Sequence, residues 1–128
     1  MTITEVSQKY GITPDTLRYY ERIGLIPPVN RNASGIRDYT EEDCNWVQFI
    51  KCMRGAGLSI EVLVEYVNMF QKGNSTIKAR KDLLIEQRSQ LAEKIKEMQQ
   101  TLERLDKKID GYEERVLVKE EQLKRTDN

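Results

Sequence analysis

Residues 13–25 read Thr13-Pro14-Asp15-Thr16-Leu17-Arg18-Tyr19-Tyr20-Glu21-Arg22-Ile23-Gly24-Leu25, and this stretch decides the fold. Thr13 is a residue type that caps helices, because its hydroxyl can accept a hydrogen bond from a free backbone N–H of the first turn. Pro14 follows at the first helical position, where a missing N–H costs nothing. Leu17 and Tyr20 lie three apart and share an inward face, which turns Arg18 and Tyr19 outward. Gly24 ends the segment, and Pro27-Pro28 forbid its resumption. The reading is a short amphipathic helix with a basic, aromatic outer face.

The flanks extend this into a small helical domain. Upstream, Thr2 with Glu5 fits a capping box, Ile3, Val6 and Tyr10 share a face, and Gly11 ends the helix. Downstream, Val29 to Tyr39 reads as a small hairpin turning at Asn32-Ala33-Ser34-Gly35. Thr40 caps a third helix, with Glu41, Glu42 and Asp43 at the positive end of its dipole. Its buried side is Trp46, Val47, Phe49, Ile50 and Met53, and Gly55 and Gly57 break it. Ser59 caps a fourth helix packed through Ile60, Leu63, Val64, Val67 and Phe70. The predicted order is helix, turn, helix, hairpin, helix, helix over residues 1–72.

Composition changes at Gly73-Asn74-Ser75, so residues 73–76 read as a linker. Beyond it the apolar positions are Leu84, Leu91, Ile95, Met98, Leu102, Leu105, Ile109, Tyr112 and Val116. From Leu91 onward they alternate in steps of 4 and 3, the spacing of a coiled-coil seam. Ile95, Leu102, Ile109 and Val116 take the a positions; Leu84, Leu91, Met98, Leu105 and Tyr112 take d. Arg88 at an a position weakens the start of the seam. One helix over residues 77–118 would be about 63 Å long at about 1.5 Å per residue, with 119–128 as a tail. Such a narrow apolar stripe needs a partner helix. The seam predicts dimerisation but leaves the orientation of the pair open.

Bulk properties narrow the function. The 128 residues carry 21 basic and 21 acidic side chains, so net charge gives no support to nucleic-acid binding and local placement must carry it. No apolar run is long enough to cross a bilayer, and Met1-Thr2-Ile3-Thr4-Glu5 lacks the blocks of a signal peptide. A cytoplasmic protein without membrane partner is expected. The absence of histidine removes the commonest metal ligand and general base. With no phosphate-binding glycine loop and no acid–base motif, an enzyme is not expected. Cys44 and Cys52 are eight apart; within one helix that is roughly 12 Å, too far for a disulfide.

The Thr13–Leu25 stretch, Arg37-Asp38-Tyr39, the Thr40-capped helix and Gly57-Leu58-Ser59-Ile60 resemble, in order, the signature of the MerR family of bacterial transcription regulators. The heptad helix resembles that family's dimerisation helix. The resemblance implies a mainly α fold: a winged helix-turn-helix head followed by a long dimerisation helix that forms an antiparallel coiled coil. It implies a homodimer on double-stranded promoter DNA, at a palindromic operator. Family members bend and untwist a promoter whose spacer is too long, so that bacterial RNA polymerase can engage it.

Carried onto this sequence, the second helix would enter the major groove. Thr13, Arg18 and Tyr19 would contact DNA from it, Arg31, Arg37 and Tyr39 from the wing, and Arg54 from the end of the third helix. Tyr20 shares the Leu17 face and reads as core. Metal-sensing members carry cysteines at and beyond the dimerisation helix; here none follows Cys52, so neither a metal nor another cofactor is expected. Only residues 119–128 follow the seam, so the C-terminal ligand domain of large-molecule sensors is not expected either. Cys52, in Phe49-Ile50-Lys51-Cys52-Met53-Arg54, resembles the single cysteine of thiol-based branches that respond to aldehydes and other electrophiles. Lys51 and Arg54 could stabilise its thiolate; an inert packed thiol is the competing reading. Cys44 reads as structural. Two further alternatives stay open: an effector-independent DNA-binding repressor, and a coiled-coil adaptor without a DNA target.

Overall fold

The computed structural model describes residues 1–126. Six α-helices follow in order: α1 (Ile3–Tyr10), α2 (Pro14–Arg22), α3 (Glu41–Gly55), α4 (Ile60–Gln71), α5 (Ile77–Ile109) and α6 (Tyr112–Thr126). The chain divides into two compact units, Met1–Gln87 and one that begins at Arg88.

The caps that sequence marks are formed. Thr2 and Glu5 close a capping box on α1, and the Thr13 hydroxyl accepts the Thr16 N–H with Pro14 in the first turn of α2. Thr40 accepts the Asp43 N–H, and the Asp43 carboxylate accepts the Thr40 N–H in return. Ser59 caps α4 through the Val62 N–H. Each such cap contributes about 1 kcal/mol to a helix otherwise too short to hold itself.

The core of the first unit is built where α1, α2 and α3 meet. Val6, Leu17, Val47 and Ile50 are fully buried, and Leu25, Ile26, Leu58 and Leu63 join them. Tyr20 packs partly buried against this cluster. Trp46 and Phe49 of α3 and Tyr66 and Phe70 of α4 add ring contacts with centroids 4.9–6.0 Å apart. The chain between α4 and α5 is a short 3-10 turn, Asn74–Thr76. Its Thr76 hydroxyl donates to Met69 O and Gly73 O, and the Arg80 guanidinium lies 5.3 Å from the Phe70 ring centre. These contacts bring the first turns of α5 into the unit that holds the head.

One expectation is refined and one is corrected. The Val29–Tyr39 hairpin has no strand among the described residues; its legs meet in one antiparallel bridge, Arg31 with Arg37. Backbone bonds from Asn32 N–H to Ile36 O and from Asp38 N–H to Asn30 O flank that bridge, and a side chain reinforces the turn. Asn32 Oδ1 accepts the N–H groups of Ser34 and Ile36, and Gly35 turns the chain at φ +76°. The helix predicted over 77–118 is not continuous either. α5 ends at Ile109, Gly111 adopts the left-handed φ of +64°, and α6 starts at Tyr112. The last carbonyls of α5 are then capped by Arg115, which donates through Nη2 to Lys107 O (2.9 Å), Lys108 O (3.0 Å) and Asp110 O. The heptad spacing runs straight through the break, which is why Tyr112 and Val116 read as part of one seam; they lie on α6. Residues 119–126, read as tail, continue α6; 127 and 128 lie outside the described residues.

Along α5 the stripe has no cover among the described residues of the single chain. Ile95, Met98, Leu102, Leu105 and Ile109 are 48–70% exposed, while Leu84 and Leu91 are half-buried.

Candidate nucleic-acid interface

α2 positions the outward groups by burying its other side. With Leu17 at 0% exposure, the turn of the helix leaves Arg18 and Tyr19 facing solvent. Arg18 pairs with Asp15 of the same helix at 2.9 Å, but both side chains are well exposed. Such a pair is worth roughly 0–1 kcal/mol and gives way easily to a phosphate or a base edge. The Arg22 guanidinium lies 5.4 Å from the Tyr19 ring centre and holds that ring against the helix. Thr13 is spent on its cap and on a 2.8 Å contact with the Thr16 hydroxyl.

The wing is fastened to α2 by Glu21. One carboxylate oxygen accepts the Val29 N–H at 3.1 Å and the other accepts Arg37 Nε at 2.7 Å. Arg31 donates to Gly35 O at 2.8 Å and closes the turn. The structure thus joins the α2 residues to Arg37. Arg54 stands at another corner, donating to Leu58 O at 2.6 Å and tying the end of α3 to the turn before α4.

Tyr39 differs from its expected role. It is 2% exposed, with its hydroxyl buried and unpaired among the described residues. Its ring fills core space beneath the wing, and its backbone N–H donates to Met1 O at 2.8 Å. In this conformation it supports the wing from inside and presents no hydroxyl to a ligand. Burial pushes its pKa above the ordinary 10.0, with Arg37 and Arg18 opposing the rise and Glu21 and Asp43 adding to it. Groups from α2, the wing and α3 therefore all act on one ring.

The two thiols separate cleanly. Cys44 is buried, its Sγ 3.7 Å from Met1 Sδ, while Cys52 is exposed on α3. The cations beside Cys52 are turned to other work: Lys51 Nζ donates to Tyr10 O, and Arg54 to Leu58 O. Among the described residues no three of His, Cys, Asp and Glu gather as a metal site, and no helix is long and apolar enough to cross a membrane.

A helix-turn-helix of this form, a wing anchored on its second helix, and a long helix carrying a heptad stripe make up the plan of one family. Residues 1–70 match the family described as MerR HTH family regulatory protein, and residues 45–108 match the one described as MerR, DNA binding. The chain belongs to the MerR family. It is 58% identical over 93 residues to the HTH-type transcriptional regulator AdhR of Bacillus subtilis, a match spanning 73% of this chain and 66% of that relative, just under two thirds of its length. A MerR-family regulator of Listeria monocytogenes, solved as a crystal structure, is 48% identical, with a TM-score of 0.86 over 99% of this chain and 96% of that one. A second crystal structure, of HiNmlR, a MerR-family regulator that lacks the sensor domain and is bound to promoter DNA, is 29% identical. It aligns with a TM-score of 0.81 over 88% of this chain and 90% of that one. The mainly helical fold, with a helix-turn-helix head and a long helix, is thus common to this MerR-family chain and its neighbours.

Sequence reasoning missed Glu21 as the anchor of the wing in this MerR head. The signal was present: Glu21 lies one turn after Leu17, on the buried side of α2, where a carboxylate needs a partner. Its partner, Arg37, is in the wing read from Val29 to Tyr39.

The buried Tyr39 hydroxyl generates a prediction with a definite sign. In the unfolded chain a tyrosine ionises near pH 10, while the buried one resists. Above that pH the unfolded state has released a proton that the native state keeps, so stability falls as pH rises. Tyr39→Phe is expected to gain about 1 kcal/mol by removing an unpaired buried hydroxyl and to lose less stability than the parent between about pH 9 and about pH 11. Urea midpoints at the two pH values measure both; a destabilised variant with unchanged pH dependence would show that the hydroxyl is used.

Proposed function

We propose that this MerR-family chain is a homodimeric transcriptional regulator that binds a palindromic promoter operator and changes its shape. The observation that carries the reading is α2: Leu17 and Tyr20 packed inward, Arg18 and Tyr19 outward, and the wing's Arg37 held at its edge by Glu21. Arg18 is suited to a guanine edge or a phosphate, Tyr19 to a phosphate oxygen, and Arg31, Arg37 and Arg54 to the backbone on either side. Thr13 fixes the start of the helix that carries them. The crystal structure of HiNmlR bound to promoter DNA, at 29% identity, supports the DNA-binding reading. We read the protein as non-catalytic and as working in the bacterial cytoplasm, with RNA polymerase engaging the promoter it distorts.

The second copy follows from the exposed stripe of α5. Each fully buried Leu, Ile or Met contributes about 1.5–3 kcal/mol, so five exposed ones favour a partner helix strongly. An antiparallel pair of α5 helices, as the family resemblance implies, would cover Leu84 to Ile109 of both copies. A palindromic operator then matches the twofold symmetry of the protein.

The sensing part rests on Cys52, exposed near the end of α3. A thiol there can add across an aldehyde: the S–C bond forms, the carbonyl π pair moves to oxygen, and the thiol proton ends on that oxygen. The adduct adds bulk between the Lys51 tether to α1 and the Arg54 tether to the α4 turn. A shift of either tether tilts the head on its DNA. A regulator without this switch is favoured by one observation: Lys51 and Arg54 spend their charge on carbonyls instead of on the thiol.

Two experiments test these readings. Arg18→Ala is expected to weaken binding to the DNA upstream of the protein's own coding region by about 1–3 kcal/mol. If the lost contact is a phosphate, the log–log salt slope also drops by about one unit. Wild-type affinity in gel shifts would remove Arg18 from the interface. For the switch, reporter transcription from that promoter is expected to rise or fall with aldehyde in the wild type and stay fixed in Cys52→Ser, with a mass shift at Cys52 in the wild-type protein alone. A Cys52→Ser protein that responds normally removes the thiol from the mechanism and leaves the regulator intact.

A further inference from the structure

We propose that Glu21 is a positioning residue for operator binding, making the recognition helix and the wing one rigid reading unit; this rests on the DNA-binding reading above. Glu21 touches no groove itself. Its side chain is 17% exposed and that of Arg37 is 21% exposed, so the pair is sheltered from solvent. Each carboxylate oxygen has a different task. One takes the Val29 N–H, on the leg of the wing that leaves α2; the other takes Arg37 Nε, on the leg that returns. One side chain of α2 thus grips both legs.

The ends of the wing are seated by Val29 and Tyr39 in the core and by the Met1 amine on Asp38 and Tyr39 O; Glu21 adds the tie from both legs to α2. The legs share a single bridge, with Asn32 N–H to Ile36 O and Asp38 N–H to Asn30 O on either side. Without the Glu21 anchor the turn and the two ends of the wing would stay in place, but Arg37 would lose the contact that sets its direction relative to α2. The anchor also orients Arg37. A guanidinium has five donors in a rigid fork. Here Nε is committed to Glu21, and neither terminal nitrogen has a protein partner among the described residues. Arg37 can therefore hold the carboxylate and a phosphate together, in a plane that Glu21 sets.

A carboxylate near DNA would on charge alone weaken binding to every sequence. Positioning acts differently: it favours the operator, where α2 and the wing must engage at once, over DNA in which no register is required. Glu21→Gln separates the two effects, because an amide still accepts the Val29 N–H but loses the charge that holds Arg37.

The test compares fluorescence anisotropy of wild type and Glu21→Gln on the protein's own upstream DNA and on a scrambled duplex of equal length, with thermal melting alongside. Glu21→Gln is expected to melt near the wild type and to bind scrambled DNA as well or better. It is expected to lose about tenfold on the upstream DNA, the scale of one charge-assisted hydrogen bond. In an Arg37→Ala background the same substitution is expected to add little. Equal losses on both duplexes with a lowered melting point would make Glu21 a folding residue only, and equal gains on both would make it a charge only; either overturns the proposal. Arg37→Lys keeps the charge but lacks the fork, so it gives the same ratio independently should Glu21→Gln unfold; an unchanged ratio there overturns the proposal too. Wild-type protein that prefers neither duplex overturns the DNA-binding reading, and this inference with it.

Discussion

Everything in the head follows from the burial of Leu17. A helix has one phase: once Leu17 is fixed against Val6, Val47 and Ile50, the directions of Arg18, Tyr19 and Glu21 follow. Arg18 and Tyr19 are sent outward to solvent, and Glu21 is sent to the sheltered edge where the wing attaches. The outward side of α2, the attachment of the wing and the core beneath both are therefore consequences of one packing contact. The wing repeats this economy, since Tyr39 fills the core below it while Arg37 links it to α2 from above.

The second half of the chain obeys a different constraint. α5 carries apolar side chains on one stripe and charge elsewhere, and among the described residues nothing in the single chain covers Ile95 through Ile109. A stripe of this kind is stable only when a second helix lies on it. Head and stripe together describe a protein whose DNA-reading parts come in pairs, as its MerR-family membership leads one to expect.

Much of this was legible in the sequence because it is local. Caps are written in Thr2, Thr13, Thr40 and Ser59, and core faces in the spacing of Leu17, Val47, Ile50 and Leu63. The failures come from residues whose role is set by distant partners or by competing patterns. The wing reads as a hairpin from its turn and is one, but its pairing is short, and the Asn32 side chain reinforces the few backbone bonds between its legs. Tyr39 reads as a contact from its place in a motif; its burial depends on the whole head. The break at Gly111 hides inside an unbroken heptad, because Tyr112 and Val116 fall on the right steps while Arg115 caps the helix that ends before them. The Glu21–Arg37 bond joins residues sixteen apart and shows only once α2 and the wing are in place.

The most direct test of a paired, DNA-distorting regulator is a hydroxyl-radical footprint of the wild-type protein on the DNA upstream of its own coding region. Two protected patches related by a twofold axis, spaced by a whole number of helical turns (about 34–36 Å each) with altered cleavage between them, are the expected result. A single protected half-site, or no protection at protein concentrations that saturate non-specific binding, would contradict it.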